Sequence, residues 1–194
     1  MERVITISRQ YGSGGRELGE KLAVKLGIPF YDRELIAMIA KEGDIEESIL
    51  EANDEVGPDL DSYSARQVEP DYQIAMAQRI YAAQATVIRN LEKKGSCVIV
   101  GRCADAILPH AVKLFVFADM EHRISRIMSM NPALSREEAR ESILSTDRKR
   151  KAYHEYYSTL EWGNMEAYDM CLNSGLIGVD GCLVSALAYI GHVK

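Results

Sequence analysis

The stretch that most limits what this chain can fold into is its first thirty residues. Val4-Ile5-Thr6-Ile7 is followed by Gly12-Ser13-Gly14-Gly15, and then by apolar residues at Leu18, Leu22, Val24 and Leu26. The first four residues are all β-branched and mostly apolar, as in a short buried strand. The spacing after the glycines is helical, and Gly27 with Pro29 stops it. A strand, a glycine loop and a helix in that order turn successive main-chain N–H groups towards one point. They add the positive end of a helix, and together these suit a phosphate. The same residues also make a plain strand-to-helix turn whose glycines give clearance. On the loop alone both readings stand.

The loop departs from the phosphate-loop pattern G-x-x-x-x-G-K-[ST]. With Gly14 as the second glycine, Arg9 occupies the first, Gly15 the lysine position and Arg16 the hydroxyl position. Against the monophosphate-kinase form G-x-x-G-x-G-K-G-T, Gly12 and Gly14 are kept, Gly15 replaces the lysine and Glu17 the threonine. A backbone cradle survives such changes. Its charge would then come from Arg16 or Arg9, and a metal-binding hydroxyl or carboxylate only from Ser13 or Glu17.

Beyond the loop, strand and helix patterns alternate. Phe30-Tyr31 reads as a second strand, with Asp32 as a cap for a helix over 34–41. Residues 43–70 are acidic, carry Gly57-Pro58, and read as a short helix and a mobile loop. A long helix is expected over 71–94, strands at 97–100 and 113–117, and a helix over 121–130. Ser135-x-x-Glu138 is a capping box that opens a helix to about Tyr157. A last strand over 168–173 and a last helix over 179–190 complete the pattern. Such alternation argues for a parallel sheet covered on both faces.

The 194 residues suit one domain. A net charge of −6 argues against non-specific nucleic-acid binding, so an anion site here is local. Cys97, Cys103, Cys171 and Cys182 form no C-x-x-C pair and read as free thiols. His110, His122, His154 and His192 have no metal-ligand spacing, so no metal-binding side chains are assigned. With no signal peptide and no apolar run of membrane length in view, a cytoplasmic, membrane-free protein is expected.

Against this acidic background the arginines cluster. Arg102 follows a strand, at the sheet edge where α/β proteins bind ligands. Arg123 and Arg126 share a helix face, and Asp147-Arg148-Lys149-Arg150-Lys151 is a dense basic run. Arginine meets phosphate oxygens in pairs, which suits phosphoryl transfer.

The order of these motifs resembles the cytidylate-kinase-like family. Residues 5–17 look like that family's own divergent phosphate loop. The likeness continues through residues 30–35 and 98–102, and ends at 147–150 and 168–174. The resemblance implies a three-layer αβα P-loop NTPase fold: a five-stranded parallel sheet in a single domain over 1–194, an acceptor-binding insertion near 43–94 and a helical lid near 120–158. It implies ATP with Mg2+ on Gly12, Ser13, Gly14, Gly15, Arg16 and Glu17. Catalytic cations would be Arg16, Arg123, Arg126 and Arg148. The acceptor would lie on Asp32, Arg33, Arg102, Asp147 and Arg150. The implied reaction is phosphoryl transfer to a nucleoside monophosphate, most simply CMP or dCMP. Cys103 stands where cytidylate kinases carry an aspartate, and Arg33 where they carry a hydroxyl residue. Two other readings remain: a nucleotide-binding module without turnover, and a kinase for another small metabolite.

Overall fold

The structure, a computed structural model, describes residues 3–52, 55 and 70–193. Strand β1 (Val4–Arg9) lies in the middle of a five-stranded sheet, with β2 (Phe30–Tyr31) and β3 (Cys97–Val100) on one side. Strands β4 (Val112–Phe117) and β5 (Met170–Asn173) lie on the other, giving the order β2-β3-β1-β4-β5. All four pairings are parallel, with Ile5 opposite Val98 and Val112. The chain moves from β1 to one flank and then across to the other, so the carboxyl end of β1 is a topological switch point.

Alternating side chains of the central strands build two cores, one on each face. On one face Ile5, Ile7, Val98, Val100, Leu114 and Val116 pack against α1 (Gly15–Leu26) and α8 (Ser174–His192). On the other, Val4, Cys97 and Ile99 meet α2 (Glu34–Gly43), α3 (Glu47–Ala52), α4 (Pro70–Lys94) and the short α5 (Ala104–Ile107). A third, smaller cluster of Ile124, Ile127, Ala139 and Ile143 joins α6 (Met120–Met130) to α7 (Arg136–Tyr157).

Most expected elements are found within a residue or two. Four differences have physical causes. Asp32 does not cap α2: Arg33 occupies the cap position without a side-chain bond, and the Asp32 carboxylate is held by Arg16 instead. Helix α5 is too short to leave a periodic pattern in the sequence. The last helix begins at Ser174 rather than Val179, because Asn173 caps it through the Gly175 N–H. It is interrupted at Gly178 (φ 67°), one residue before the expected start. Finally, α8 is long and apolar enough to cross a membrane by length and mean hydropathy, contrary to the expectation that no run reaches that length. Its Cys182, Leu183 and Ala186 are buried in the core beside α1. The expected mobile loop around Gly57-Pro58 lies outside the described residues.

The capping box of α7 is complete: Ser135 accepts from the Glu138 N–H, and the Glu138 carboxylate accepts from the Ser135 N–H at 2.8 Å. Ser135→Ala should therefore lower stability by about 1 kcal/mol, read as a shift in the urea midpoint at unchanged slope.

Candidate functional site

A cleft of about 540 Å³ opens at the carboxyl end of β1. Its floor is the glycine loop. Ser13 is buried, and its hydroxyl lies 2.8 Å from the Gln10 carbonyl and 3.0 Å from the Val116 carbonyl. Its own carbonyl accepts from the Ser174 hydroxyl at 2.6 Å. The loop is thus tied to β4 and to the start of α8. Gly14 precedes α1 with φ 80°, a left-handed backbone costly for other residues, and a Cβ there would lie 2.6 Å from Val179. The first N–H groups of α1 have no partner within the helix and no side-chain cap, and the loop residues around them line the cleft. They form a cradle of amides of the kind that suits an anion.

Cations surround that cradle. Arg126 of α6 lies over Gly14, its guanidinium carbon 3.4 Å from where a Cβ would stand, and pairs with Glu17. Lys21 and Arg126 together hold the Glu17 carboxyl below its ordinary value. Arg16 turns to the rim, where it meets Asp32 at 2.7 Å and lies over the Phe30 ring. Arg123 is buried. It grips Asp147 at 2.5 Å, while the other oxygen of Asp147 accepts the Tyr11 N–H at 2.7 Å. This bracket fastens the loop to α6 and α7.

A second anion pocket lies beside the cradle. Arg9 ends β1 and Arg150 stands on α7, stacked over the Tyr11 ring. Between them is the carboxylate of Glu55, 2.6 Å from Arg9 and 3.1 Å from Arg150. The Arg102 N–H donates to the same carboxylate at 2.9 Å. Burial alone would push the Glu55 carboxyl up. The charges of Arg9 and Arg150 reverse this and hold it well below the usual carboxylate range. Burial also lowers the Arg150 value, helped by the charge of Arg9. Behind the pocket, Gly101, Arg102 and Cys103 all adopt left-handed backbone, with φ 72°, 58° and 52°. Two non-glycine residues there cost about 1–2 kcal/mol each. Gln84 holds the turn through the Arg102 carbonyl at 2.6 Å, and Tyr153 holds Gln84 at 3.0 Å.

The sequence profile of the cytidylate kinase-like family matches residues 4–176. The chain belongs to that family.

As a member of the cytidylate kinase-like family it is a phosphotransferase of the nucleotide-kinase kind. A cytidylate kinase of Methanothrix thermoacetophila is 29% identical over 197 residues, covering 98% of this chain and 99% of that one. The crystal structure of an uncharacterized protein from Eubacterium ventriosum matches with a TM-score of 0.76 at 28% identity, covering 99% and 100% of the two chains. A shikimate kinase from Bacteroides thetaiotaomicron matches with a TM-score of 0.57 at 12% identity over both whole chains, a likeness of fold alone.

The cleft of this family member brings together Gly12, Gly14, Gly15, Arg16, Glu17, Asp32, Arg33, Arg126 and Arg150. Ser13 offers the loop its shape but not its hydroxyl, which is committed to the two carbonyls. Arg123 and Asp147 are occupied with each other and with the loop. Arg102 is buried and contributes its main-chain N–H to the pocket, while its side chain does not line the cleft. Arg148 is exposed on α7 and also off the lining, where Lys149 and Thr146 stand instead. Glu55 and Gln84 were missed. Glu55 lies in an acidic stretch that reads as a short helix and a mobile loop, and Gln84 is one polar residue in an amphipathic helix. Tyr157 stacks on Tyr81 at 4.0 Å, in keeping with a packing role.

The amide cradle fits the phosphates of a nucleoside triphosphate. The side chains do not form a cage for a resident metal: the Ser13 hydroxyl is used, Glu17 is paired, and no cluster of three metal-ligating residues occurs among the described residues. Magnesium would be carried by nucleotide oxygens and water, easing the charge of the transferring group.

Two outcomes follow from this geometry. Gly14→Ala should cost at least about 1 kcal/mol of stability and weaken nucleotide binding, checked by thermal unfolding and titration with ATP. Because the folded-state value of Glu55 is depressed, its stabilisation is complete above the ordinary glutamate range and is lost as the pH falls below about 4.3 towards the folded value. The difference in Tm between the wild type and Glu55→Gln should therefore shrink from pH 6 to pH 3. A constant difference contradicts the assignment.

Proposed function

We propose that this protein transfers the γ-phosphoryl group of ATP to a nucleoside monophosphate, with CMP or dCMP as the acceptor. The observation that carries this reading is that two anion sites, the amide cradle and the Arg9–Arg150 pocket, open into one cleft. A kinase needs such a pair, one for the donor phosphates and one for the acceptor phosphate. The name of the Methanothrix relative, matched over nearly the whole of both chains, supports the choice of acceptor.

In this reading ATP lays its phosphates on the N–H groups of Gly14 to Glu17. Arg126 stands over them and supplies the charge that a loop lysine would otherwise bring. The acceptor phosphate lies between Arg9 and Arg150, with the Arg102 N–H as a third donor. Asp32, Arg16 and Arg33 at the rim face the acceptor's sugar and base. The acceptor phosphate oxygen attacks the γ-phosphorus as the bond to the ADP oxygen breaks, with no covalent enzyme intermediate. Positioning and charge stabilisation do the catalysis. Arg123 and Asp147 act through the loop as positioning residues. Helices α6 and α7 serve as the lid that excludes water, and residues 43–94 as the acceptor-binding insertion.

The competing reading, a binding module without turnover, draws on the missing lysine and the committed Ser13 hydroxyl. A coupled ADP-release assay over a panel of nucleoside monophosphates and hydroxylated metabolites separates them. Turnover with CMP or dCMP is expected. Arg150→Ala should lower kcat/KM for the acceptor by between about ten- and a hundredfold with little change in the KM for ATP. Arg126→Ala should lower kcat for every acceptor alike. Tight ATP binding with no turnover on any acceptor would favour the module, and turnover on another metabolite alone would reassign the acceptor.

A further inference from the structure

One carboxylate in the cleft is met by donors from three separate parts of the chain. Glu55 Oε1 lies 2.6 Å from Arg9 Nη1 and 2.9 Å from the Arg102 nitrogen, and Oε2 lies 3.1 Å from Arg150 Nε. Each donor is placed by its own element. Arg9 is the last residue of β1, Arg102 sits in a left-handed turn after β3 held by Gln84, and Arg150 stands on α7 and also donates to the Arg9 carbonyl. Three donors converging on two oxygens of one sp2 or tetrahedral anion is what recognition of a phosphate or carboxylate requires. The pocket is also largely closed to water, with the Arg9, Arg150 and Glu55 side chains 12%, 14% and 13% exposed, yet Arg9, Glu55 and Arg150 all line the cleft.

We propose that the Glu55 carboxylate is the chain's own stand-in for the phosphate of the acceptor: it occupies the Arg9–Arg102–Arg150 pocket while the cleft is empty, and the acceptor binds by displacing it. Naming the displacing group as an acceptor phosphate rests on the function proposed above. That an external oxyanion competes with Glu55 for these donors does not.

Two physical needs are met by the arrangement. Arg9 and Arg150 stand close together in a dry site and their like charges oppose each other, so a carboxylate between them helps to keep the pocket assembled. An assembled and vacant pocket would also take any small oxyanion, including the phosphates of misplaced ATP. A tethered carboxylate raises the threshold. Only a ligand whose phosphate carries extra charge, and whose remaining atoms find contacts along the rim, outcompetes it. Apparent affinity is then the intrinsic affinity reduced by the fraction of molecules in which Glu55 has left.

The test uses inorganic phosphate as the probe, titrated calorimetrically into the full-length wild type, Glu55→Gln, Glu55→Asp and the double variant Glu55→Gln/Arg150→Gln. Removing the carboxylate charge should tighten phosphate binding by about tenfold or more, and should make the thermal midpoint rise more steeply with phosphate than in the wild type. Losing Arg150 as well should erase that gain. Phosphate affinity equal to or weaker than wild type in folded Glu55→Gln overturns the proposal. So does a gain that survives loss of Arg150, since the phosphate would then lie on the amide cradle. Should Glu55→Gln fail to fold, Glu55→Asp decides, because it keeps the charge but shortens its reach. It should bind phosphate more tightly than the wild type, and no gain overturns the idea. The two readings fail separately. Tighter phosphate binding in a protein that phosphorylates no nucleoside monophosphate removes the proposed reaction and keeps the stand-in. Turnover on CMP with no effect of Glu55 on phosphate affinity removes the stand-in alone.

Discussion

The buried side chain of Ser13 is the point on which the cleft depends. Its hydroxyl is shared between two carbonyls, one from its own turn and one from β4, and its carbonyl is taken by Ser174 at the start of α8. The turn after β1, the end of β4 and the start of α8 are thereby fixed to one residue with no exposed surface. A buried hydroxyl with no partner costs about 1–3 kcal/mol, so the turn is strongly held in this one shape. Gly14 can then take its left-handed backbone and α1 can present its first amides at the sheet edge. The use of Ser13 as an anchor explains why it is unavailable as a ligand. The same oxygen cannot brace the floor and reach into the cleft.

Charge is arranged under a second constraint. The protein is acidic overall, and each of these cations in or beside the cleft has a carboxylate against it: Arg9 and Arg150 with Glu55, Arg126 with Glu17, Arg123 with Asp147, Arg16 with Asp32. These pairs differ in kind. The Arg123–Asp147 pair is buried, and its carboxylate also holds the loop, so it is part of the frame. The Arg16–Asp32 pair is half open to solvent and is worth little on its own. The Glu55 pairs sit between these extremes, dry enough to be strong and still on the wall of the cleft. An anionic ligand entering such a site exchanges one carboxylate for another anion rather than filling an empty charge. Its selectivity then depends on differences between two filled states.

The sequence discloses the scaffold well because strand and helix periodicity is local. The β1 strand, the glycine loop, the capping box at Ser135 and the arginines on α6 and α7 are each legible within a few residues. What escapes is whatever depends on residues far apart. Glu55 looks like one acid among many in a polar stretch, and only the approach of β1, β3 and α7 gives it three donors. Asp32 has the spacing of a cap, yet Arg16, one helix away, wins its carboxylate. Arg102 is rightly placed after a strand. Its left-handed backbone, from which the main-chain N–H meets Glu55, leaves no trace in composition. The ordering of Arg148 and Lys149 around α7 is a matter of helical phase. One residue shifts a side chain by about 100°, enough to exchange the cleft for solvent.

Packing leaves little room for a side chain at the position of the loop lysine. A Cβ at Gly15 would lie 2.5 Å from the Arg9 Cβ and 3.4 Å from Val116, so the start of α1 rests directly on the stem of Arg9. A lysine at that position would have to push Arg9 out of the pocket it shares with Arg150. The chain therefore has room for a cation on the floor beneath the cradle or for one within the loop, but not for both. With Arg9 kept below, a cation over the cradle has to come from another element, and Arg126 on α6 is the residue whose guanidinium lies there. Its position depends on the Arg123–Asp147 bracket and on the small core that joins α6 to α7. In this chain, then, the electrostatics of the glycine loop are coupled to the packing of two helices remote in sequence, where a loop lysine would have made them local.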